Sequence, residues 1–379
     1  MRVLHVHSGN LYGGVETFLV TLAREAQLAP EMSSAFAVCF EGRFSDELTA
    51  NHHEPRCLGH VRLRRPDTLW RARRTLAELL RLEKFDVAVC HQSWPYAIFG
   101  RTIRRAGLPL VFWLHTVSDG RHWLDRWART TPPDLAVCNS RFTAGFLSRW
   151  FPVTRTEWVY CPVRLPSGQR GDSETREHIR RGFETSPDDV VMIQVGRLEA
   201  LKGHDDMIAA LGRIRDLPGW KYWIVGGPQR PSDQRYLRKI EAVVRQAGIG
   251  DRVTFIGERT DVPALLRAAD VYCQPNTRPE AFGISFVEAL AAGLPVVTTN
   301  FGGVCEIVDD TCGILTPPGD VDALADALRR VAGDAGLRTR LGAAAVARPD
   351  SLCNPTRQMK RIAEMLSSLR PFEVAGRTS

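Results

Sequence analysis

Two doubly wound parallel sheets, one in each of two domains, are the α/β fold this sequence predicts, and three observations predict it. Short Val/Ile/Leu-rich runs alternate with helix-length amphipathic stretches almost throughout. Strands read that way when helices cover both faces of a parallel sheet. The second half of the chain repeats the plan of the first, and 379 residues is more than one hydrophobic core usually serves.

Taken in order, strands are expected at residues 3–7, 35–40, 86–90, 110–114, 135–138 and 157–160, with helical patterns between them at 15–28 and 68–83. Asn139 and Ser140 read as the N-cap of the next helix. A polar interval, 165–189, is the candidate hinge. The second set of strands is expected at 190–195, 221–225, 253–256, 271–274, 295–298 and 313–315. Asp320 and Asp322 form a DxD string in PPGDVDALADAL, which reads as a helix start rather than a metal site. The expected domains are 1–164, 165–350 and a final segment 351–379. A helix is expected in that segment, near 355–369. Ligands of such sheets sit beyond the carboxyl ends of the strands, so the motifs that follow strands are expected to face one cleft between the domains.

Composition narrows the class. Hydrophobic content of 44% and charged content of 25% suit a globular protein. No apolar run is long enough to span a bilayer. MRVLHVH reads as a strand rather than a leader, so a cytoplasmic location is expected. Nine cysteines without a CxxC pair read as reduced thiols, not as disulfides or a zinc site. Residues 1–163 hold 21 Lys+Arg against 15 Asp+Glu, which is nearly all of the net charge of +7. That surplus reads either as solvated helix faces or as a surface for an anionic acceptor or anionic lipid headgroups. No nucleic-acid module appears.

The richest stretch is 278–297, RPEAFGISFVEALAAGLPVV. Glu280 and Glu288 bracket Phe282, Gly283 and Ile284 at a helix start, where free N–H groups and the helix dipole suit phosphate. Gly283 lets backbone come close. Glu288, one turn beyond Ile284, suits a ribose diol, and Glu280 suits hydroxyls of a second sugar. Arg197 and Lys202, in VGRLEALKGHD, follow a strand and suit a diphosphate; otherwise they are solvated loop cations. Gly13 and Gly14 precede a helix and read as a phosphate-facing loop or a plain turn. The loop lacks GxGxxG and its distal acid, which weakens a nicotinamide dinucleotide. His115 ends an apolar run. Gly302 and Gly303 open another helix.

These motifs, in this order, resemble the retaining nucleotide-sugar glycosyltransferases of family 4, which have the GT-B fold of two Rossmann-like domains facing across a cleft. The resemblance runs from about residue 2 to about residue 330. The resemblance, not the helix's own pattern, implies that the helix near 355–369 packs back on the first domain. Ala281 stands where the family usually has glycine. The resemblance implies that Arg197 and Lys202 stabilise the departing diphosphate and that Glu280 and His115 orient the transferred sugar. It further implies that Gly13, Gly14, Phe282, Gly283, Ile284, Glu288, Gly302 and Gly303 bind the donor, and that the loop of Gly257, Glu258 and Arg259 meets the nucleobase. The implied reaction moves a hexosyl group from a nucleoside diphosphate sugar to an acceptor hydroxyl. It is retaining and front-face, without metal or cofactor. UDP is the first expectation for the nucleotide and GDP the second. An anionic or lipid-linked glycan is the expected acceptor, with peripheral contact at an anionic membrane surface. The alternatives are an epimerase or phosphorylase on the same fold, and a non-catalytic sugar-nucleotide binding protein.

Overall fold

Strands that are apolar on both faces must be covered on both faces, and the computed structural model, which describes residues 1–164 and 173–369, is built that way. The first sheet has seven strands: β1 (Arg2–His7), β2 (Ser33–Val38), β3 (Arg56–Cys57), β4 (Val87–His91), β5 (Leu110–Leu114), β6 (Leu135–Cys138) and β7 (Thr156–Trp158). Their order is β3-β2-β1-β4-β5-β6-β7, all parallel. The second has six: β8 (Val190–Val195), β9 (Trp220–Val225), β10 (Val253–Gly257), β11 (Val271–Gln274), β12 (Val296–Thr299) and β13 (Gly313–Thr316), in the order β10-β9-β8-β11-β12-β13. They too are parallel. Each order reverses once, beside β1 and β4 in the first sheet and beside β8 and β11 in the second.

The helices of the first unit are α1 (Gly14–Arg24), α2 (Arg43–Ala50), α3 (Pro66–Leu82), α4 (Ser93–Arg105), α5 (Trp123–Ala128) and α6 (Arg141–Trp150). Those of the second are α7 (Ser173–Gly182), α8 (His204–Arg213), α9 (Pro231–Gln246), α10 (Val262–Ala268), α11 (Ile284–Ala291), α12 (Val321–Gly333), α13 (Ala335–Ala345) and α14 (Ala347–Cys353). Proline opens α3 and α9, where its missing N–H is harmless. Asp320 caps α12 by accepting from the Ala323 amide at 2.9 Å, so the DxD string is a helix start. The last helix, α15 (Pro355–Ser367), clusters with the first unit, so that unit comprises Met1–Pro162 and the described residues from Pro355 on; Val163–Asn354 form the second.

Each unit has its own core. In the first, Leu4, Ala88, Phe112 and Ala136 lie under Tyr96, Phe99 and Trp150. In the second, Met192, Ile224, Val271 and Val297 meet Ile208, Leu211 and Leu328. None of the nine cysteines is in a disulfide, and only Cys57 and Cys305 are exposed. Among the described residues no helix is long and apolar enough to cross a membrane.

Two expectations need correction. The polar interval 165–189 is not all linker. Residues 165–172 lie outside the described residues, but α7 occupies much of the rest. Its Arg180 is buried and ion-paired to Asp270 at 2.5 Å, and Arg176 reaches the same carboxylate at 2.6 Å. The helix is polar by composition because it docks through guanidinium groups. The second correction concerns Asn139. Ser140 alone caps α6, accepting from the Thr143 amide at 3.1 Å, while the Asn139 side chain turns inward.

Candidate functional site

In the second unit, the site grows from the switch point of the sheet. β8 and β11 are neighbours, and the chain leaves their carboxyl ends in opposite directions. Residues 196–203 follow β8 and residues 275–283 follow β11, so the two segments meet. Thr277 N donates to Leu201 O at 3.0 Å. Lys202 Nζ donates to Glu280 Oε2 at 2.6 Å, and both side chains are mostly buried. Arg197, a strand-end residue of the same loop, pairs with Glu199 at 3.0 Å and not with Glu280. Each of the two cations therefore holds one carboxylate.

Backbone fixes Glu280 from behind. Gly303 N donates to Glu280 O at 2.7 Å, and Glu280 bridges to Gly302. Gly302 has φ +100°, and a Cβ there would stand 2.5 Å from Glu280 O. Any side chain would push the glutamate off its seat. Gly283, the N-cap of α11, has φ +99°, and a Cβ would stand 2.4 Å from the Phe286 ring and 3.2 Å from Glu280 Cγ. Phe282 is buried beside it and Ile284 is half-buried. Ala281 is not among the positive-φ residues, so alanine takes the usual glycine's place without strain.

Glu288 lies further along α11. It is half-buried, and its carboxylate has no hydrogen bond or ion pair among the described residues. Burial pushes its carboxyl up to about 7. Behind it the Tyr272 hydroxyl lies 2.8 Å from Ser285 Oγ and 3.0 Å from Gln274 Oε1. A partly buried carboxylate with unused acceptor capacity suits a pair of hydroxyls.

The neighbouring loop is joined through backbone. Gly226 N donates to Gly257 O at 2.8 Å at the end of β10. Arg259, two residues on, turns to Asp261 at 2.7 Å on the exposed surface and makes no described contact with Lys202 or Glu280.

In the first unit the predicted residues also follow strands. Gly13 caps α1 with extended backbone, and Gly14 is its first residue. His7, which ends β1, accepts from the Gly9 amide at 3.1 Å and lies 3.4 Å from the buried Glu16 carboxylate. Burial lowers His7 to about 4. His115, just past β5, is buried, with Nδ1 2.9 Å from Asn139 Nδ2 and Nε2 2.8 Å from His91 Nδ1. Burial holds it well below the usual histidine range. Among the described residues no group of His, Cys, Asp and Glu is arranged to hold a metal ion.

Residues 175–348 match the family model described as glycosyl transferases group 1, and residues 12–165 match glycosyltransferase family 4. A phosphatidyl-myo-inositol mannosyltransferase of Mycobacterium leprae is 35% identical over 70% of this chain and 70% of its own length. The chain belongs to the group 1, family 4 glycosyltransferases. A GDP-mannose-dependent alpha-(1-6)-phosphatidylinositol monomannoside mannosyltransferase of Mycobacterium tuberculosis is 32% identical over 56% of each chain. The chain spans about half the length of the first curated relatives it matches. The Anabaena protein HepE, solved with UDP-glucose, superposes with a TM-score of 0.86 over 97% of this chain and 100% of that one, at 22% identity. That likeness carries the fold, which is GT-B.

For this family 4 chain, sequence reasoning joined Arg197 and Lys202 as a pair of cations, whereas the structure assigns them different carboxylates. It saw no role for His5 or His91 and read Asn139 as a cap. All three lie in the same buried cluster as His115. The signal was there in principle: His5 and His91 come from β1 and β4 and His115 follows β5, and these strands are adjacent in a doubly wound sheet.

Proposed function

We propose that this chain is a retaining, metal-independent hexosyltransferase that moves a sugar from a nucleoside diphosphate to an acceptor hydroxyl in glycan, glycolipid or glycoconjugate assembly. The observation that carries this reading is the Lys202–Glu280 pair, 2.6 Å apart, directly before the start of α11. A cation and helix-start amides oppose the charge that builds on a departing diphosphate, while a carboxylate beside them takes sugar hydroxyls. Arg197 adds a second cation. Glu288 accepts the ribose hydroxyls. Gly13, Gly14, Gly302 and Gly303 offer backbone to phosphate or sugar, and the loop at Gly257 and Arg259 meets the base. His115 meets the sugar through its ring edge or main chain, since both ring nitrogens are held inside the unit. By the family resemblance the path is front-face: the acceptor attacks on the face the diphosphate leaves, and the departing phosphate takes the acceptor's proton.

The relative's name favours GDP-mannose as the first donor to test, with UDP-sugars second. The basic surplus of residues 1–163 and the exposed Trp70 and Trp123 favour an anionic, lipid-linked acceptor reached at an anionic membrane surface.

The test is thermal stabilisation of wild type and Glu288→Ala by GDP, UDP, ADP, dTDP and NAD. A ligand at a hundredfold its dissociation constant adds about 2.7 kcal/mol. A shift with one nucleoside diphosphate, lost in the variant, supports the reading and names the base. A shift with NAD alone overturns it. Conversion of the donor sugar without acceptor points to the epimerase alternative. Binding with neither transfer nor hydrolysis points to a binding protein.

A further inference from the structure

Three histidines of the first unit, His5 on β1, His91 on β4 and His115 just past β5, form one hydrogen-bonded row that the proposed transfer leaves unexplained. His5 Nδ1 lies 3.0 Å from His91 Nε2, and His91 Nδ1 lies 2.8 Å from His115 Nε2. His115 Nδ1 lies 2.9 Å from Asn139 Nδ2, and Asn139 Oδ1 accepts from Trp113 Nε1 at 2.8 Å. All five residues are more than nine-tenths buried. Trp113 stacks on both His91 and His115.

The proton positions along this row follow from one fact: an indole N–H can only donate. Asn139 must therefore face Trp113 with its oxygen and His115 with its NH₂. That NH₂ donates, so His115 Nδ1 is bare and the ring proton sits on Nε2. His115 Nε2–H donates to His91 Nδ1, which places the His91 proton on Nε2. His91 Nε2–H donates to His5 Nδ1, and the row ends at His5 Nε2, buried and without a partner among the described residues. Every link has one proton and one direction. A proton added to His115, His91 or His5 Nδ1 would set two donors face to face.

We propose that Asn139 is a positioning residue: oriented by the Trp113 indole, its amide fixes the neutral Nε2–H tautomer of His115 and, through it, those of His91 and His5. This rests on the transferase reading only for what His115 does in turnover; the proton order belongs to the first unit itself. His115 then neither gives nor takes a proton in the transfer. It meets the donor sugar as a neutral ring whose orientation is set from behind. Burial acts in the same sense, holding His91 well below its usual range and lowering His5 to about 3.

The experiment labels the full chain with nitrogen-15 histidine and reads ring tautomers by long-range proton–nitrogen correlation at neutral pH. Wild type is expected to show the Nε2–H form for His5, His91 and His115. In Asn139→Asp the carboxylate accepts from Trp113 and demands a proton on His115 Nδ1. The His115 signal is then expected to move to the Nδ1–H or doubly protonated form. An Nδ1–H or doubly protonated His115 in wild type overturns the proposal without any variant having to fold, and so does an unchanged pattern in a folded Asn139→Asp protein. With a donor in hand, Asn139→Asp is expected to lower kcat about 10²-fold while the donor KM changes little; an unchanged kcat overturns the positioning role. If wild type transfers from no donor, the transferase reading falls while the wild-type spectrum still decides the row.

Discussion

Lys202 and Glu280, 78 residues apart in sequence, form the closest contact between the two loops that leave β8 and β11, with Nζ 2.6 Å from Oε2. The pair is mostly buried, so each charge depends on the other, and a diphosphate arriving at Lys202 must compete with Glu280 for it. Lys202→Ala is expected to lower kcat about 10²–10³-fold. It is also expected to destabilise the second unit by about 1–3 kcal/mol through the unpaired Glu280. Glu280→Gln, which keeps the shape and removes the charge, is expected to tighten binding of the free diphosphate while lowering kcat. Weaker diphosphate binding in that variant, measured by calorimetry, would argue that the pair is not in competition with the ligand.

Glu288 sets a pH dependence. Its carboxyl is raised from 4.5 to about 7 by burial. A raised carboxyl favours the protonated folded state, so its contribution to stability is complete below pH 4.5. That contribution is lost as pH rises through about 7. Glu288→Gln is expected to flatten this part of the stability profile, by on the order of 2 kcal/mol across it. Donor affinity runs the other way, because the carboxylate is the better acceptor for two hydroxyls. Wild-type affinity is expected to rise between pH 6 and pH 8, about tenfold, and that rise is expected to vanish in Glu288→Gln. Parallel titrations of both proteins at several pH values would check it.

Gly302→Ala puts a methyl against Glu280 O at a φ of +100°. The strain of a non-glycine residue there costs about 1–3 kcal/mol. Because the clash is with Glu280 itself, activity is expected to fall further than the melting temperature alone predicts. Gly248→Ala, also at positive φ but with open space around its Cβ and no part in the site, is the control that carries strain without the clash.

Arg180 and Asp270 tie α7 to the second sheet by a buried ion pair at 2.5 Å, and Asp270 also accepts from the Val191 amide at 2.8 Å. Removing one partner of such a pair costs about 3–5 kcal/mol. Arg180→Met is expected to lower the unfolding midpoint of the second unit, read by denaturant melts, and to leave the tautomer pattern of the first unit untouched.

The strands were legible because β4, β5 and β6 are buried along their whole length, which leaves apolar runs too short for helices. β3, two residues long, offers no periodicity to read. α7 was hidden by its own chemistry: a hydropathy pattern scores arginine as surface, and Arg180 is interior only because Asp270 waits for it. The loops after β8 and β11 were legible as glycine-bearing segments behind strands, but the contact between Lys202 and Glu280 depends on strand order, a long-range property. Asn139 and Ser140 are equally good caps by local rules. Only the position of His115, brought from another strand, decides that serine caps and asparagine turns inward.

The attachment of α15 to the first unit has a consequence for biosynthesis. Its Met359, Ile362 and Leu366 are buried, Arg361 lies over the Trp158 ring at 4.3 Å, and Arg155 donates to Ser368 at 3.0 Å. The first unit is thus discontinuous, with all 192 residues of the second interposed between its pieces. On a ribosome the second unit has every strand and helix it needs before the first does. The nascent first unit waits with an uncovered apolar seat while its partner completes itself. Emergence of α15 closes that seat, so the unit whose synthesis begins first is completed after the second.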